Sequence, residues 1–231
     1  MLKRIFILIF FVLILSGCNN KIEPIVLSAH NTTKIIDPSL PVIALTFDDG
    51  PSKYTNKILQ LLKENDACAT FFVVGNKVQG YSNTINTMLK NGNEVGNHSY
   101  SHKWLSRLSS NSIKDEINLT QNVIKSVSGY TPKLLRPTYG EVNKKLRNST
   151  DLKIILWDVD TKDWKLKSSE VIAKRALNSI EDGDIVLMHD IYERTYNALK
   201  LIIPTLKEKG YQFVTVSELE EIKLIKEKMK E

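Results

Sequence analysis

Two adjacent carboxylates, Asp48 and Asp49, follow the apolar run 42–47 and directly precede Gly50 and Pro51. The run predicts a buried β-strand, and the Gly-Pro pair predicts a turn at its end. The carboxyl ends of strands are where α/β barrel proteins place catalytic groups. Because successive strand residues point to opposite sides, one carboxylate can bind a cation while the other transfers a proton. The pair therefore predicts an enzyme and favours metal-assisted hydrolysis.

Two histidines supply further ligands for such a metal. His98 and His102 are four residues apart, a spacing that places both imidazoles on one face of a helical turn. With Asp49 they form a three-ligand set that leaves coordination positions open. The alternative is a pair of solvated helix histidines. The chain has only 4 histidines, however, and His189 also ends an apolar run, 184–188. We therefore predict a metal site.

Five short segments resemble, in the same order, the motifs of the NodB-type polysaccharide deacetylases, also called carbohydrate esterase family 4. They are T-F-D-D-G-P at 46–51, H-S-x-x-H at 98–102, R-P-T-Y-G at 136–140, D-x-x-D-W at 160–164 and L-x-H at 187–189. The likeness spans about 41–219. Thr138 stands where proline is common in the third motif. Five motifs in order are far more specific than any one of them.

The resemblance assigns roles to the residues that match these motifs. It implies that Asp49, His98 and His102 bind a divalent metal, with Zn²⁺ expected. Asp48 would be the general base that takes a proton from the attacking water, and His189 the general acid that protonates the leaving amine. Such a division matches the two proton transfers that amide hydrolysis requires.

The resemblance also implies supporting roles around the base and the acid. The backbone N–H of Tyr139 would stabilise the oxyanion, and Trp164 would line the substrate groove. Arg136 and Asp163 would orient Asp48 and His189. Sequence alone leaves open whether Asp160 or Asp163 pairs with these cations, and we favour Asp163 because it adjoins Trp164. Trp157, by contrast, reads as part of a strand core.

Alternating apolar runs and amphipathic segments predict a β/α fold with a parallel sheet. The predicted strands are 42–47, 69–74, 93–96, 152–157, 184–188 and 211–216. The predicted helices are 53–64, 111–128, 168–180, 195–209 and a C-terminal helix that begins at 217. The resemblance implies an irregular (β/α)7 barrel, with a single catalytic domain at 41–231.

The N-terminus predicts export and a lipid anchor. Lys3 and Arg4 precede an apolar run at 5–15, which has the length of a signal-peptide core and is too short for a membrane span. The run ends in Leu-Ser-Gly-Cys, which resembles a bacterial lipobox. We expect a lipoprotein signal peptide at 1–17, lipidation of Cys18 and a polar tether at 18–40, so that the domain lies on the extracytoplasmic face of a bacterial membrane.

Composition fits one exported domain. A chain of 231 residues with 42% hydrophobic residues can bury a sizeable core. The formal net charge of +6 favours anionic surfaces such as membranes or wall polymers. Export excludes nucleic acid as a partner, and we expect a monomer.

These observations predict a deacetylase of N-acetylated amino sugars in an extracellular polysaccharide, with peptidoglycan N-acetylglucosamine favoured. Chitin-like oligosaccharides, poly-N-acetylglucosamine and O-acetylated glycans are alternatives within the same chemistry. A non-catalytic glycan-binding lipoprotein is a further alternative, although both Asp48 and His189 are present. Two histidines and one carboxylate also bind ferrous iron in oxygenases. The adjacent second aspartate and the distant His189 suit hydrolysis better.

Overall fold

The computed structural model describes residues 24–29 and 32–228. The predicted signal peptide and Cys18 lie outside these residues, as does the first part of the predicted tether. Within the described ranges, no helix combines the length and the apolar content that crossing a membrane requires.

Strands and helices alternate along the described chain. The strands are β1 (Ile25–Ala29), β2 (Thr32–Ile36), β3 (Val42–Asp48), β4 (Thr70–Val73), β5 (Glu94–Asn97), β6 (Leu134–Leu135), β7 (Lys153–Ile154), β8 (Val159–Asp160), β9 (Ile185–His189) and β10 (Gln212–Phe213). The helices are α1 (Thr55–Glu64), α2 (Gly75–Val78), α3 (Ser82–Lys90), α4 (Ser110–Ser128), α5 (Lys144–Arg147), α6 (Ser169–Ser179), α7 (Glu193–Glu208) and α8 (Val216–Lys228). The predicted β/α alternation is confirmed.

Seven strands form a curled parallel half-barrel in the order β7-β6-β5-β4-β3-β9-β8. Every neighbouring pair along this path is parallel, and β10 pairs with the first two residues of β3. Every residue of β3 is buried, which its continuous apolar run predicts for a central parallel strand. The predicted NodB-type (β/α)7 fold is confirmed.

Strand register brings the predicted site together. Asp48, the last residue of β3, is paired with Phe72 of β4 on one side and with His189 of β9 on the other. Asn97 ends β5 directly before His98. The carboxyl ends of β3, β5 and β9 therefore lie along one edge of the half-barrel.

The N-terminal segment differs from its prediction. Instead of a polar tether that reaches residue 40, β1 and β2 form an antiparallel hairpin. Ile25, Leu27 and Ile36 are buried in one cluster with residues of β3 and α8, whereas Val26 and Ile35 are exposed. This alternation has the period of a strand with one buried face. The packed chain thus begins before residue 41.

The sequence predicted the long elements better than the short ones. The two-residue strands β6 and β8 and the helix α3 were not predicted, and the strand expected at 152–157 contains only Lys153–Ile154. Trp157, expected in that strand's core, is half-buried and lines the cavity described below. Pairs of residues carry no measurable periodicity, so strands of this length leave no pattern to detect.

Candidate active site

Asp49, His98 and His102 converge at the carboxyl edge of the half-barrel. Asp49 Oδ1 lies 2.9 Å from Nε2 of His102 and 3.4 Å from Nε2 of His98. Their candidate ligand atoms all lie within 4.8 Å of one another, and in the described part of the chain no other set of His, Cys, Asp or Glu meets that condition. One metal ion could contact all three.

Both aspartates face the same cavity, contrary to the expectation that they point to opposite sides. Asp48 is the last residue of β3, whereas Asp49 lies beyond the strand with φ of 71°. A left-handed conformation is uncommon for a residue other than glycine. It turns the chain so that the two carboxylates do not follow strand alternation. His98 Nε2 consequently lies 3.8 Å from Asp48 Oδ2 and 3.4 Å from Asp49 Oδ1.

The two histidines do not share a helical turn, and that prediction was wrong. Residues 98–102 form an irregular loop after β5, in which Ser99 has φ of 62° and His102 has φ of 57°. Nδ1 of His98 lies 2.7 Å from the backbone oxygen of Arg136. A carbonyl accepts only, so the ring donates from Nδ1 and presents the lone pair of Nε2 to a metal.

The cluster carries strong negative potential. Burial opposes a charge on His98, yet the carboxylates of Asp48 and Asp49 outweigh burial and raise the pKa of this imidazole. Burial also opposes ionisation of Asp49, but hydrogen bonds from His102 and His98 hold its pKa far below its ordinary range. The same carboxylates would favour a bound cation. One carboxylate and two imidazoles are a donor set that suits Zn²⁺ and other divalent transition metals.

Asp48 is held by a fully buried arginine. Arg136 Nη1 donates to Asp48 Oδ1 over 2.9 Å and to Thr46 Oγ1 over 2.6 Å. Its Nη2 donates to the backbone oxygen of Leu156 over 2.8 Å, and the guanidinium lies 4.2 Å from the centre of the Phe72 ring. The guanidinium therefore fixes the orientation of this carboxylate. Asp48 Oδ2 is left facing the cluster, where a base would act.

His189 is held by Asp163, which answers the question that the sequence left open. Its Nδ1 lies 2.7 Å from Asp163 Oδ1, and its backbone N–H donates to Asp163 Oδ2 over 2.7 Å. Asp160 instead contacts Lys162. Burial opposes a charge on His189, but Asp163 outweighs it and raises the pKa of this imidazole to about 9. His189 is therefore a proton donor near neutral pH.

A cavity of about 410 Å³ lies over these groups. Its lining includes Asp48, Asp49, His98, His102, His189, Tyr139, Trp157, Asp160, Trp164 and Tyr192. Tyr139 is 59% exposed and Trp164 is 49% exposed, so both present ring surface to the solvent. Aromatic faces of this kind can stack on sugar rings. The volume falls within the range of ligand pockets, roughly 300–1,000 Å³.

Thr138, at the position where proline is common in the family motif, ties this motif to the loop that follows His102. Its Oγ1 donates to the backbone oxygen of Lys103 over 2.5 Å and accepts from the N–H of Leu105 over 3.4 Å. Proline could make neither bond. The departure therefore adds contacts and leaves Arg136 and Tyr139 at the site.

The sequence analysis did not identify three residues that lie beside His189 or its partner Asp163. Thr195 Oγ1 donates to Asp163 Oδ2 over 2.6 Å, and Arg194 Nε donates to the backbone oxygen of Asp163 over 2.5 Å. Asp190, the neighbour of His189, is fully buried against Gly50, and burial raises the pKa of Asp190 to about 7. Its position after the L-x-H motif was the available signal. Arg194 and Thr195 of α7 match no motif, so the sequence carried no signal for them.

The fold and the site together define a class, the α/β barrel proteins equipped for metal-assisted hydrolysis. Comparison with known proteins narrows this class. A family model described as Polysaccharide deacetylase matches residues 36–153. The chain belongs to the polysaccharide deacetylase family, carbohydrate esterase family 4, as the motifs predicted. Deacetylases of this family are metal-dependent enzymes.

Similar proteins include two cell-wall enzymes. The chain is 50% identical to the peptidoglycan-N-acetylmuramic acid deacetylase PdaC of Bacillus subtilis over 81% of this chain and 40% of that protein. It is 42% identical to the peptidoglycan-N-acetylglucosamine deacetylase PgdA of Listeria monocytogenes over 77% of this chain and 38% of that protein. The chain therefore spans well under half the length of each of these relatives.

Solved structures share the fold closely. A structure of PdaC from Bacillus subtilis superposes with a TM-score of 0.83 at 49% identity, covering 84% of this chain and 97% of that one. A family 4 acetyl xylan esterase from Clostridium thermocellum, in complex with a cobalt ion, superposes with a TM-score of 0.74 at 38% identity. That match covers 77% of this chain and 89% of the esterase chain.

Proposed function

We propose that this chain is a zinc-dependent deacetylase that removes N-acetyl groups from amino sugars of peptidoglycan. The observation that carries the proposal is that Asp48, paired with Arg136, and His189, paired with Asp163, line the same cavity as the Asp49, His98 and His102 cluster. Retention of both pairs also disfavours a non-catalytic glycan-binding protein.

The chain's residues divide the reaction between them. A bound Zn²⁺ would polarise the amide carbonyl and acidify water. Asp48 takes a proton from the attacking water, because Arg136 orients its carboxylate and leaves Oδ2 facing the cluster. The C–N bond of the amide breaks, acetate leaves, and His189 delivers a proton to the departing nitrogen from Nε2. Asp163 accepts from Nδ1 and stabilises the charged imidazole.

Further groups position the substrate in this proposal. The backbone N–H of Tyr139 stabilises the tetrahedral oxyanion, and the exposed face of Trp164 stacks on a sugar ring. Tyr139 has φ of 63° within the 3₁₀ turn Thr138–Gly140. Ferrous iron is disfavoured, because a proposed acid and a proposed base in the same cavity as the cluster have no evident use in oxygen activation.

Two sugars of peptidoglycan are candidates. Sequence analysis favoured N-acetylglucosamine, which is the substrate in the name of the PgdA relative. The greater identity to PdaC supports N-acetylmuramic acid as a second candidate. Both carry the same acetamido group, so the catalytic set would serve either sugar.

We also propose that the chain is exported, lipidated on Cys18 and held as a monomer at the outer face of a bacterial membrane. The lipobox-like segment before Cys18 supports this location, because it follows a signal-like apolar run. Peptidoglycan would then lie within reach of the enzyme.

The test is acetate release from purified peptidoglycan by the full-length chain, purified in detergent with added zinc. We expect release that a chelator abolishes and that Asp48→Asn and His189→Ala each reduce by about 10²-fold or more, the usual contribution of a general base or acid. Asp151→Asn changes the same charge at an exposed position and should retain full activity.

Enzymatic digestion of the product to muropeptides, followed by tandem mass spectrometry, identifies the sugar, because the remaining acetyl groups survive and the loss of one acetyl group is located on glucosamine or on muramic acid. Chitooligosaccharides and acetylated xylan serve as competing substrates. No acetate from peptidoglycan, with folded and zinc-loaded protein, would overturn the substrate assignment. Equal activity in the two variants would overturn the assigned roles.

A further inference from the structure

The loop between the two histidine ligands is held by a side chain from a distant helix. Glu116 of α4 is 6% exposed, and its carboxylate accepts three hydrogen bonds from this loop. Oε2 accepts from the N–H of Tyr100 over 2.9 Å and from the N–H of Ser101 over 2.7 Å. Oε1 accepts from Oγ of Ser101 over 2.6 Å. None of the five family motifs includes Glu116.

The loop needs such a partner because it is not regular structure. Ser99 and His102 both have positive φ, so the loop continues neither the β5 ladder nor a helix. The carbonyl groups of Ser99 and Tyr100 accept from the N–H groups of Gly75 and Asn76, each over 2.9 Å. The first turn of α2 thus fixes the carbonyl side of the loop, and Glu116 fixes its N–H side.

The carboxylate of Glu116 is ionised. Burial opposes ionisation, but hydrogen bonds from Ser101 outweigh burial and hold the pKa of Glu116 below its ordinary value. Lys103 Nζ lies 3.3 Å from Oε1 and adds an opposite charge from the solvent side. Hydrogen bonds to an ionised acceptor are roughly twice as strong as neutral ones.

The two histidines depend on this loop to different degrees. His98 is buried, and its ring is fixed by the backbone oxygen of Arg136. The side chain of His102 is 30% exposed, and its ring packs edge-on against the exposed Tyr139 at 5.2 Å between ring centres. The position of His102 is therefore set mainly by its own backbone.

We propose that Glu116 is a positioning residue of the metal site, which holds the 99–101 backbone so that Nε2 of His102 stays beside Asp49 Oδ1. This inference rests on the metal-binding part of the proposed function. It implies that Glu116 acts on metal affinity through His102, without touching metal or substrate.

The test compares Glu116→Gln with Asp115→Asn in the full-length chain. The glutamine keeps the volume of Glu116 but removes its charge, whereas Asp115 is the exposed neighbour on the same helix and undergoes the same charge change. The zinc dissociation constant is measured by competition with a chromophoric chelator. The visible absorption spectrum of the cobalt(II) form reports ligand geometry independently of activity.

We expect Glu116→Gln to raise the zinc dissociation constant by about 10-fold or more, the usual effect of removing a partner outside the ligand shell. The cobalt spectrum should change, and kcat at saturating zinc should fall less than the affinity does. Asp115→Asn should change neither the zinc dissociation constant nor the cobalt spectrum. Ser101→Ala removes one of the three hydrogen bonds without altering the buried carboxylate, and it should raise the dissociation constant by a smaller factor.

Thermal melting of each metal-free variant verifies folding, and Ser101→Ala decides the question if Glu116→Gln does not fold. Zinc affinities and cobalt spectra equal to those of Asp115→Asn would overturn the role of Glu116. If the unaltered chain binds zinc but deacetylates no glycan, the proposed function fails, while a raised dissociation constant still supports this role. If the unaltered chain binds no metal, both fail.

Discussion

At the scale of single residues, each of the two groups proposed to transfer a proton is held by a fully buried partner. Arg136 serves Asp48, and Asp163 serves His189. Asp48 and His189 are neighbours in register on β3 and β9, so the sheet itself fixes the proposed base and the proposed acid next to each other.

The His189 and Asp163 pair predicts the alkaline limb of the pH profile. The acid works while His189 is protonated, and Asp163 raises the pKa of His189 to about 9 despite burial. Activity should therefore fall as pH rises through this value. Asp163→Asn removes the charge that raises the pKa, so kcat/KM should begin to fall at lower pH. Rates measured across neutral and alkaline pH check this.

The control for that profile is Asp160→Asn, because Asp160 contacts Lys162 and not His189. An alkaline limb that moves in Asp160→Asn and stays in place in Asp163→Asn would contradict the assignment. The His189 and Asp163 pair also makes the stability of the fold depend on pH in the same direction. The folded-state pKa is raised, so the pair stabilises the fold below the unfolded-state pKa of histidine, about 6.5. That contribution is lost as pH rises through about 9.

At the scale of elements, the sequence predicted what long periodic segments and local motifs encode. The run 42–47 became the buried central strand β3, and the motif residues meet at one edge because parallel strands end together. The conformation of the 98–102 loop was not predictable from histidine spacing. It depends on Glu116 and on the N–H groups of α2, and no local pattern announces contacts between segments so far apart in sequence.

The β1–β2 hairpin likewise has a strand pattern in its own residues, but the neighbouring residues predicted something else. Alternation at 25–27 and 35–36 fits a strand, but prolines at 24, 38 and 41 and the preceding lipobox-like segment favoured a tether. What decides is a complementary apolar surface on β3, Val214 and α8, which completes the cluster around Ile36. Burial supplied by elements far along the chain overrides local composition.

This packing predicts a large difference between two adjacent isoleucines of β2. Ile36 is 1% exposed and Ile35 is 69% exposed. Ile36→Ala should lower the free energy of unfolding by about 2–4 kcal/mol, through lost burial and a cavity. Ile35→Ala should change it by less than about 0.5 kcal/mol, as is usual for surface positions. Urea denaturation measures both, and equal values would mean that the hairpin does not pack on the domain in solution.

At the scale of the whole molecule, the hairpin and the site lie at opposite ends of the half-barrel. Ile36 pairs with Ile25 and lines a cavity with residues that precede β4 and β5, at the amino ends of the strands. The catalytic cavity lies at their carboxyl ends. A membrane anchor upstream of Ile25 would therefore leave the catalytic cavity facing away from the bilayer, toward the wall.

The proposed anchor makes this orientation testable. Six residues lie between Cys18 and Ile25, and the seven steps from one to the other reach no more than about 25 Å at roughly 3.3–3.6 Å per residue. The domain would thus stay close to the membrane, and its reach into the wall would be limited. We expect the unaltered chain to sediment with membranes and Cys18→Ser to be released, since one acyl-bearing residue provides the attachment. Both forms should deacetylate isolated peptidoglycan at similar rates.

The matched control is Cys68→Ala, which removes the other cysteine of the chain, a buried one, and should leave membrane association unchanged. Assays on intact cells test the limited reach into the wall separately from attachment to the membrane. Cys18→Ser should deacetylate the wall in a different spatial pattern, because the released enzyme is no longer confined within a short reach of the bilayer. Retention of Cys18→Ser in the membrane fraction would contradict lipid attachment and would require the apolar segment 5–15 to remain as the anchor.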